Sequence, residues 1–502
     1  MKILNILERS KDFWFLISVS FFFFLLRLPS LFEPYWYGDE GIYQVLGMGI
    51  NQGKLLYSGI WDNKPPLLYL LYAFFSSDQF TIRLVSMIFG VFSVLVFFAL
   101  SKKLFEKNSF AFFTTSIFAI LFGLPFLEGN IANSENFMIF PTLLSGLILF
   151  KLITDKKNEN KRLSFFNFSC EARYSFAIQL FLAGLILSFS FLFKIVAVFD
   201  FAAFIVFLFI VNSLKVPKLL KSIEDLFFFL AGFALPIIIT ILFFVFNNAF
   251  SDFTKAAFFQ NVGYVSYGNK FLIPQGFLLL KLFFLFLFVL FVFIKRKSLS
   301  TSSIFILIWL AFSIFNAFFS QRPYTHYLLV LLPGFCLFLG LLLQDKKLQK
   351  IYAVFLILLI FLLSQNFTVY GKTNRYYQNF ISFVKGSKSV YEYRKFFDRN
   401  TPNDYYLAEF IKMHTTQNDN IFIWGNNAQV YKLTNKLPPG RFTVAYHITA
   451  KPEYLNETLN DLRRAVPKYI IVTSRNNFIP FPLTGYTHKA NINNSIIYER
   501  TF

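Results

Sequence analysis

The side chains of this chain best suited to chemistry stand in one stretch, Tyr37-Gly38-Asp39-Glu40-Gly41-Ile42-Tyr43 followed by Trp61-Asp62-Asn63-Lys64-Pro65-Pro66, between the first two apolar runs. Two adjacent carboxylates and a lysine there lie at the edge of hydrocarbon, where a charge is costly unless paired or hydrated. In a chain with only 15% charged residues this gathering reads as an active site. More candidates follow in later turns. Glu135 ends the polar stretch Glu128-Gly129-Asn130-Ile131-Ala132-Asn133-Ser134-Glu135 at the mouth of an apolar run. Lys194 sits between two such runs with Asp200 one to two turns beyond, and Ser320-Gln321-Arg322-Pro323-Tyr324-Thr325-His326-Tyr327 forms a short turn. Each has a plain structural alternative. Asp39 could cap a helix, worth about 1 kcal/mol; Glu135 could be a helix-start carboxylate; Lys194 could pair with Asp200 or snorkel; tyrosines are ordinary interfacial anchors.

Taken together, the carboxylates Asp39, Glu40 and Glu135 and the cations Lys64, Lys194 and Arg322 suit a reaction in which a nucleophile loses a proton while a phosphate leaves. A carboxylate orients and deprotonates a hydroxyl or amine, and cations stabilise the charge that grows on phosphate, arginine in bidentate fashion. Lipid phosphate is already a weak base, so its departure needs no acid.

The elements that must position these groups are membrane helices. With 56% hydrophobic residues and mean hydropathy +0.54, the first 370 residues are not a soluble domain. Apolar runs near 13–28, 80–101, 109–127, 136–153, 176–193, 195–214, 226–246, 276–294, 302–320, 327–344 and 350–369 match the roughly 20 residues a helix needs to cross hydrocarbon. About 11 transmembrane helices are therefore expected over residues 1–369. The first outer loop, 29–79, would hold a short helix through Ile42, Val45, Leu46 and Ile50 lying along the membrane surface. A second short run, Leu67 to Phe75, opens on Pro65-Pro66 and would be interfacial or re-entrant. The 76 phenylalanines, with abundant Lys, Asn and Ile, fit biased base composition better than an aromatic groove.

Basic clusters set the orientation. Lys2, Arg9 and Lys11, then Lys102, Lys103 and Lys107, Lys151 to Arg173, Lys215 to Lys221, Lys295 to Lys297 and Lys346 to Lys350 all fall on one side of an eleven-span chain. The positive-inside rule makes that side cytoplasmic and turns the Asp39 loop and the tail outward, in an inner membrane. The first run lacks a small-residue cleavage site and is read as a retained span. The net charge of +21 then needs only anionic headgroups as partners, and no aromatic-interleaved basic motif points to nucleic acid. Cys170 and Cys336 fall at different depths and are not expected to pair. Residues 370–502 shorten to strand-length runs, Ile421 to Trp424, Phe442 to Tyr446, Tyr469 to Thr473 and Ser495 to Tyr498, separated by helical patterns at Asp404 to His414 and Pro452 to Ala465. A small α/β extracytoplasmic domain is expected there. The 29-residue stretch Asn247 to Gln275, with Tyr264 and Tyr267, is long enough to be a substrate-responsive loop.

The Gly38-Asp39-Glu40 segment, Asp62-Asn63-Lys64-Pro65-Pro66, the acid of Asn133-Ser134-Glu135 and the Arg322-Pro323-Tyr324-x-His326-Tyr327 turn together resemble the GT-C glycosyltransferases. The branch is that of the protein O-mannosyltransferases and the lipid A aminoarabinose transferase, and the resemblance covers roughly residues 10–345. It implies a sugar taken from a polyprenyl-phosphate donor with inversion, Asp39 as general base, Lys64 on the donor phosphate, Glu135 orienting acceptor or base, and Lys194 as a second phosphate-facing lysine. Arg322 would join the phosphate contacts, and Asp62, Tyr324 and His326 are candidate substrate contacts. The acceptor would be a lipid A core sugar, a polysaccharide or a protein. No His-rich metal cluster is present, so no metal or other cofactor is expected, with a carboxylate-bound divalent cation as the alternative. A ligase using a diphosphate-linked oligosaccharide is the nearest rival reading. A transporter or flippase would instead place its charges near mid-membrane, whereas most noncytoplasmic charges of this chain sit in outer loops, with Asp200 and Lys281 as partial exceptions.

Overall fold

A computed structural model describes residues 2–162, 170–212, 219–261, 278–320, 324–473 and 479–501. Among the described residues nine helices are long and apolar enough to cross a membrane: Ser10–Phe32, Gln79–Leu104, Ser134–Asp155, Tyr174–Phe193, Ile195–Asn212, Glu224–Phe246, Leu278–Lys295, Thr301–Phe319 and Gln349–Asn366. Two shorter apolar helices, Asn108–Gly123 and Leu332–Gln344, occupy the other two expected positions. A proline stands at one end of each. Leu124 turns extended ahead of Pro125, and Pro333 stands in the first turn of its helix, where its missing N–H costs nothing.

Caps fix where several helices begin. The Asp78 carboxylate accepts from the Thr81 amide at 2.9 Å, and the Ser300 hydroxyl accepts from the Ser303 amide at 3.0 Å. Helices Cys170–Phe193 and Leu219–Phe246 cross where Gly184 meets the Phe229 carbonyl and Gly232 meets the Phe181 carbonyl, leaving no room for a Cβ on either side. Small residues of this kind let backbones approach where lipid offers no hydrophobic drive to pair helices. The outer helices expose what that solvent covers. Leu278–Lys295 presents Leu279, Phe283, Phe284, Phe286 and Phe291, and Gln349–Asn366 presents Ile351, Val354, Ile357 and Phe361. The chain is an integral membrane protein on these grounds.

The first loop forms the expected helix, Gly38–Asn51, and buries it more fully than an amphipathic pattern asks, with every residue from Glu40 to Gly49 covered by protein. It is sandwiched between helix Leu67–Phe74 and helix Ala428–Thr434 of the C-terminal region. Two glycines permit this. A Cβ on Gly41 would come within 2.8 Å of the Gln429 amide nitrogen, and one on Gly47 within 2.9 Å of that of Ala73. The amphipathic pattern was incomplete because Gly and Tyr on the other face also pack against protein.

The C-terminal region carries a four-stranded sheet of order β1-β2-β4-β3, with β1 (Ile421–Trp424), β2 (Tyr469–Val472), β3 (Tyr486–Ile492) and β4 (Ser495–Arg500). Strands β1 and β2 are parallel, the other pairs antiparallel. Both parallel strands are continuous apolar runs buried throughout, as a sheet covered on both faces requires. Helices Thr401–His414 and Pro452–Ala465 stand where their periodicity placed them. The expected strand over Phe442 to Tyr446 is absent from the sheet. Arg441 and Phe442 instead meet the first loop, with the Trp61 amide donating to the Arg441 carbonyl at 2.9 Å, and a short helix follows at Ala445–Ile448. Polar, solvent-facing β3 had no apolar run to announce it.

Candidate active site

Two charged clusters grow from the start of helix Gly38–Asn51. Its N-cap is Tyr37 with no side-chain capping bond, so Asp39 lies in the first turn and does not cap it. There the helix dipole favours a carboxylate. The Asp39 side chain is 40% exposed and accepts from the Tyr43 hydroxyl at 3.1 Å, with the Lys64 ammonium 3.5 Å away. Lys64 Nζ also lies 3.9 Å from Asp62 and 4.7 Å from the centre of the Tyr43 ring. Its backbone is held on both sides. The Tyr57 hydroxyl donates to the Lys64 carbonyl at 2.7 Å, and the Lys64 amide donates to the Tyr69 oxygen at 3.0 Å. Tyr57 takes a left-handed φ of 71°, a strain of the kind that accumulates beside functional sites.

Asp62 is buried at the end of this chain of contacts. Its Oδ2 accepts from the Tyr69 hydroxyl at 2.7 Å, and His447 Nε2 stands 3.4 Å from Oδ1. Burial alone would raise its pKa, but Lys64, His447 and Tyr69 outweigh that and hold the carboxyl well below the usual range. Opposite, Lys194 forms an ion pair with Glu135 and lies 4.4 Å from the Tyr327 ring centre. Burial lowers the basicity of Lys194 and Glu135 opposes it; Lys64 and Asp39 are both near enough to act on the same ammonium. One region therefore brings together Asp39, Lys64, Lys194 and Glu135. His326 joins it from the next turn, with Nε2 3.7 Å from Glu135 and Nδ1 3.0 Å from Glu128. The Tyr37 hydroxyl donates to the same Glu128 oxygen at 2.8 Å. Tyr324 stacks on His326 at 5.6 Å and is itself partly exposed.

Glu40 turns the other way. Only 3% exposed, it forms a two-point ion pair with Arg83, at 3.1 Å from Nε and 2.5 Å from Nη2, and accepts from the Ala132 amide at 2.9 Å. Glu33 pairs with the same guanidinium at 2.7 Å and accepts from Trp36, Asn130 and Tyr376. The structure does not bring Glu40 to the open cluster. Arg322 lies outside the described residues, as do Tyr264 and Tyr267. The described start of that long loop is folded, with Asn261 donating to the Asn63 carbonyl at 2.6 Å. Lys194 does not pair with Asp200, whose carboxylate accepts from the Trp309 indole at 2.7 Å, and Lys281 donates to the Phe318 carbonyl at 2.6 Å.

Several partners escaped sequence reasoning. Glu33, Arg83 and His447 were not singled out, and Glu128 was quoted only as part of a loop. Arg83 had a usable signal, an ionisable residue one turn inside a span, which demands a buried partner. His447 had none, because only the tertiary fold brings it to Asp62. Among the described residues no three His, Cys, Asp or Glu side chains are grouped to hold a metal, and Cys336 is a buried free thiol.

Residues 403–484 match the family model described as "Putative competence-induced protein Ccs4 C-terminal domain". No curated protein matches the chain. The crystal structure of ArnT from Cupriavidus metallidurans bound to undecaprenyl phosphate is similar at 11% identity and a TM-score of 0.55, covering 97% of this chain and 98% of that one. The apo form of the same protein is similar at 12% identity and 0.55, covering 98% of each chain. The oligosaccharyltransferase AglB from Archaeoglobus fulgidus, in complex with an inhibitory peptide and a dolichol-phosphate, follows at 12% identity and 0.49, covering 93% and 70%, a likeness too loose to argue from. From end to end the chain has the GT-C fold, a mostly helical membrane unit with a small C-terminal sheet domain.

Proposed function

We propose that this protein is an inverting glycosyltransferase that moves a sugar from a polyprenyl-phosphate donor to a hydroxyl or amine acceptor. The observation that carries the reading is an exposed carboxylate, Asp39, at a helix N-terminus facing Lys64, with the Lys194–Glu135 pair alongside. Asp39 takes the proton of the acceptor, whose oxygen or nitrogen attacks the anomeric carbon. The bond from that carbon to the phosphate oxygen breaks on the opposite face, which inverts the configuration. Negative charge collects on the departing phosphate, where Lys64 and Lys194 oppose it. Arg322 is assigned to the same phosphate. Glu135 holds Lys194 in place, and Asp62, Tyr324 and His326 are assigned to positioning and substrate contact. That ArnT is bound to undecaprenyl phosphate supports a polyprenyl carrier here.

The proposed setting is the cytoplasmic membrane with the site and residues 370–502 outward. In support, Lys102 and Lys103 end the helix whose first residue, Gln79, donates to the Glu33 carbonyl and whose Arg83 pairs with Glu40, the neighbour of Asp39, so this lysine pair lies at the far end of that helix from the Asp39 segment. The reaction is proposed to run without a catalytic metal, so chelation should leave turnover unchanged. The acceptor is assigned to the carbohydrate, lipid or protein components of the envelope. The test is release of free polyprenyl phosphate from a panel of radiolabelled polyprenyl-phosphate sugars by purified protein in lipid, with total membrane extract as acceptor. Release with label moved to an extract component supports the reading. Consumption of diphosphate-linked donors alone would replace it with oligosaccharide ligation, and consumption of neither would end it.

A further inference from the structure

The geometry points to His447, in the C-terminal sheet domain, as a positioning residue for Lys64 that acts through Asp62; the inference rests on the phosphate-facing role proposed for Lys64. Asp62 is a buried anion with three partners: the Tyr69 hydroxyl at 2.7 Å, Lys64 Nζ at 3.9 Å and His447 Nε2 at 3.4 Å. Two of them belong to the first loop. Tyr69 ties Asp62 to the Lys64 backbone, since its oxygen also accepts the Lys64 amide at 3.0 Å. The third comes from nearly 400 residues away in sequence and is itself buried, 4% exposed. His447 Nδ1 is buried with no hydrogen-bond partner. The tautomer with its proton on Nε2 leaves no N–H on the unpartnered Nδ1 and puts the proton on the nitrogen 3.4 Å from Asp62 Oδ1.

The surroundings hold the imidazole against the loop. Its ring meets the Trp61 indole edge-on at 4.8 Å, and the same indole packs on Phe442 at 5.5 Å and Tyr454 at 5.6 Å. The backbone bond from Trp61 to Arg441 completes the grip. Residues 441–454 thus grasp Trp61-Asp62, two positions before Lys64. Lys64 Nζ meets both Asp39 and Asp62, so the placement of Asp62 bears on how far the ammonium leans from Asp39. Loss of the Nε2–H donor leaves a buried carboxylate short of one partner, which then draws on Lys64 more strongly. The sheet domain in this way reaches into the phosphate site without touching phosphate.

The experiment measures equilibrium binding of radiolabelled undecaprenyl phosphate to the full chain in nanodiscs. His447→Phe keeps a ring against Trp61 and removes the donor, while His447→Gln restores an N–H at comparable reach. His447→Phe should weaken binding about tenfold, the size of one charge-assisted hydrogen bond, and His447→Gln should recover most of it. In an Asp62→Asn background His447→Phe should add nothing, because a residue acting only through Asp62 loses its effect with it. A fully additive loss, or wild-type binding by His447→Phe, overturns the inference. Lys64→Ala run alongside tests the parent reading: wild-type binding by that variant removes Lys64 from the phosphate and the inference with it. His447→Leu serves the same comparison if the phenylalanine variant does not fold.

Discussion

Asp39 and Glu40 are neighbours in sequence with opposite surroundings. Successive helical residues point roughly 100° apart. That rotation sends Glu40 inward, onto Arg83 and the Ala132 amide, and leaves Asp39 open beside Lys64. The Arg83 cluster is closed: its guanidinium meets Glu33, Glu40 and the Ser30 carbonyl, and no part of its side chain reaches solvent. The Lys64 cluster is open. Its ammonium stands 3.5 and 3.9 Å from two carboxylates, and the Asp39 side chain is 40% exposed. A buried, satisfied ion pair organises structure, whereas a solvent-accessible one can exchange a partner for substrate.

The largest expected effect separates the two clusters by kind of damage. Asp39→Asn should lower turnover by about 10³-fold, within the range for loss of a general base, while thermal stability and donor binding hold. Arg83→Ala should do the reverse. It leaves Glu33 and Glu40 as buried anions without their counter-ion, a loss of about 3–5 kcal/mol in stability, read as a collapse of the thermal transition in detergent. Next in size, Lys64→Ala should weaken donor binding by about 1–3 kcal/mol, measured as the donor Kd, with folding retained. Unchanged affinity would reduce Lys64 to a structural contact of Asp39 and Asp62.

The smallest effect is a pH dependence. The folded state holds the Asp62 carboxyl below its ordinary value, so ionised Asp62 stabilises the fold at pH above the unfolded value of about 3.9. That contribution fades as pH falls from there toward the lower folded value. Thermal melts of wild type and Asp62→Asn should therefore differ most above pH ~4 and converge below it. A gap that stays constant from pH 6 to pH 3 would show that the shift is not coupled to folding.

Legibility followed the range of the interactions. Among the described residues the eleven apolar runs marked nine helices long enough to span and two shorter ones, because length and hydropathy are local. The residues of the open cluster were legible too, since charges beside hydrocarbon stand out by type alone. Their sorting was not. Nothing in the pair Asp39-Glu40 says which carboxylate meets Arg83, and that depends on the packing of Gly41 against Gln429 and of Gly47 against Ala73. The Phe442 segment reads as a strand by composition yet bonds to Trp61, a partner no local pattern could name. His447 on Asp62 is the same lesson inside the site.

The most direct test of the account is turnover per folded molecule of Asp39→Asn in proteoliposomes, with donor binding measured on the same preparation. The account predicts bound donor that is not consumed, while Glu40→Gln, if it folds, keeps substantial turnover. Wild-type turnover by folded Asp39→Asn would contradict it and remove the open cluster from the chemistry.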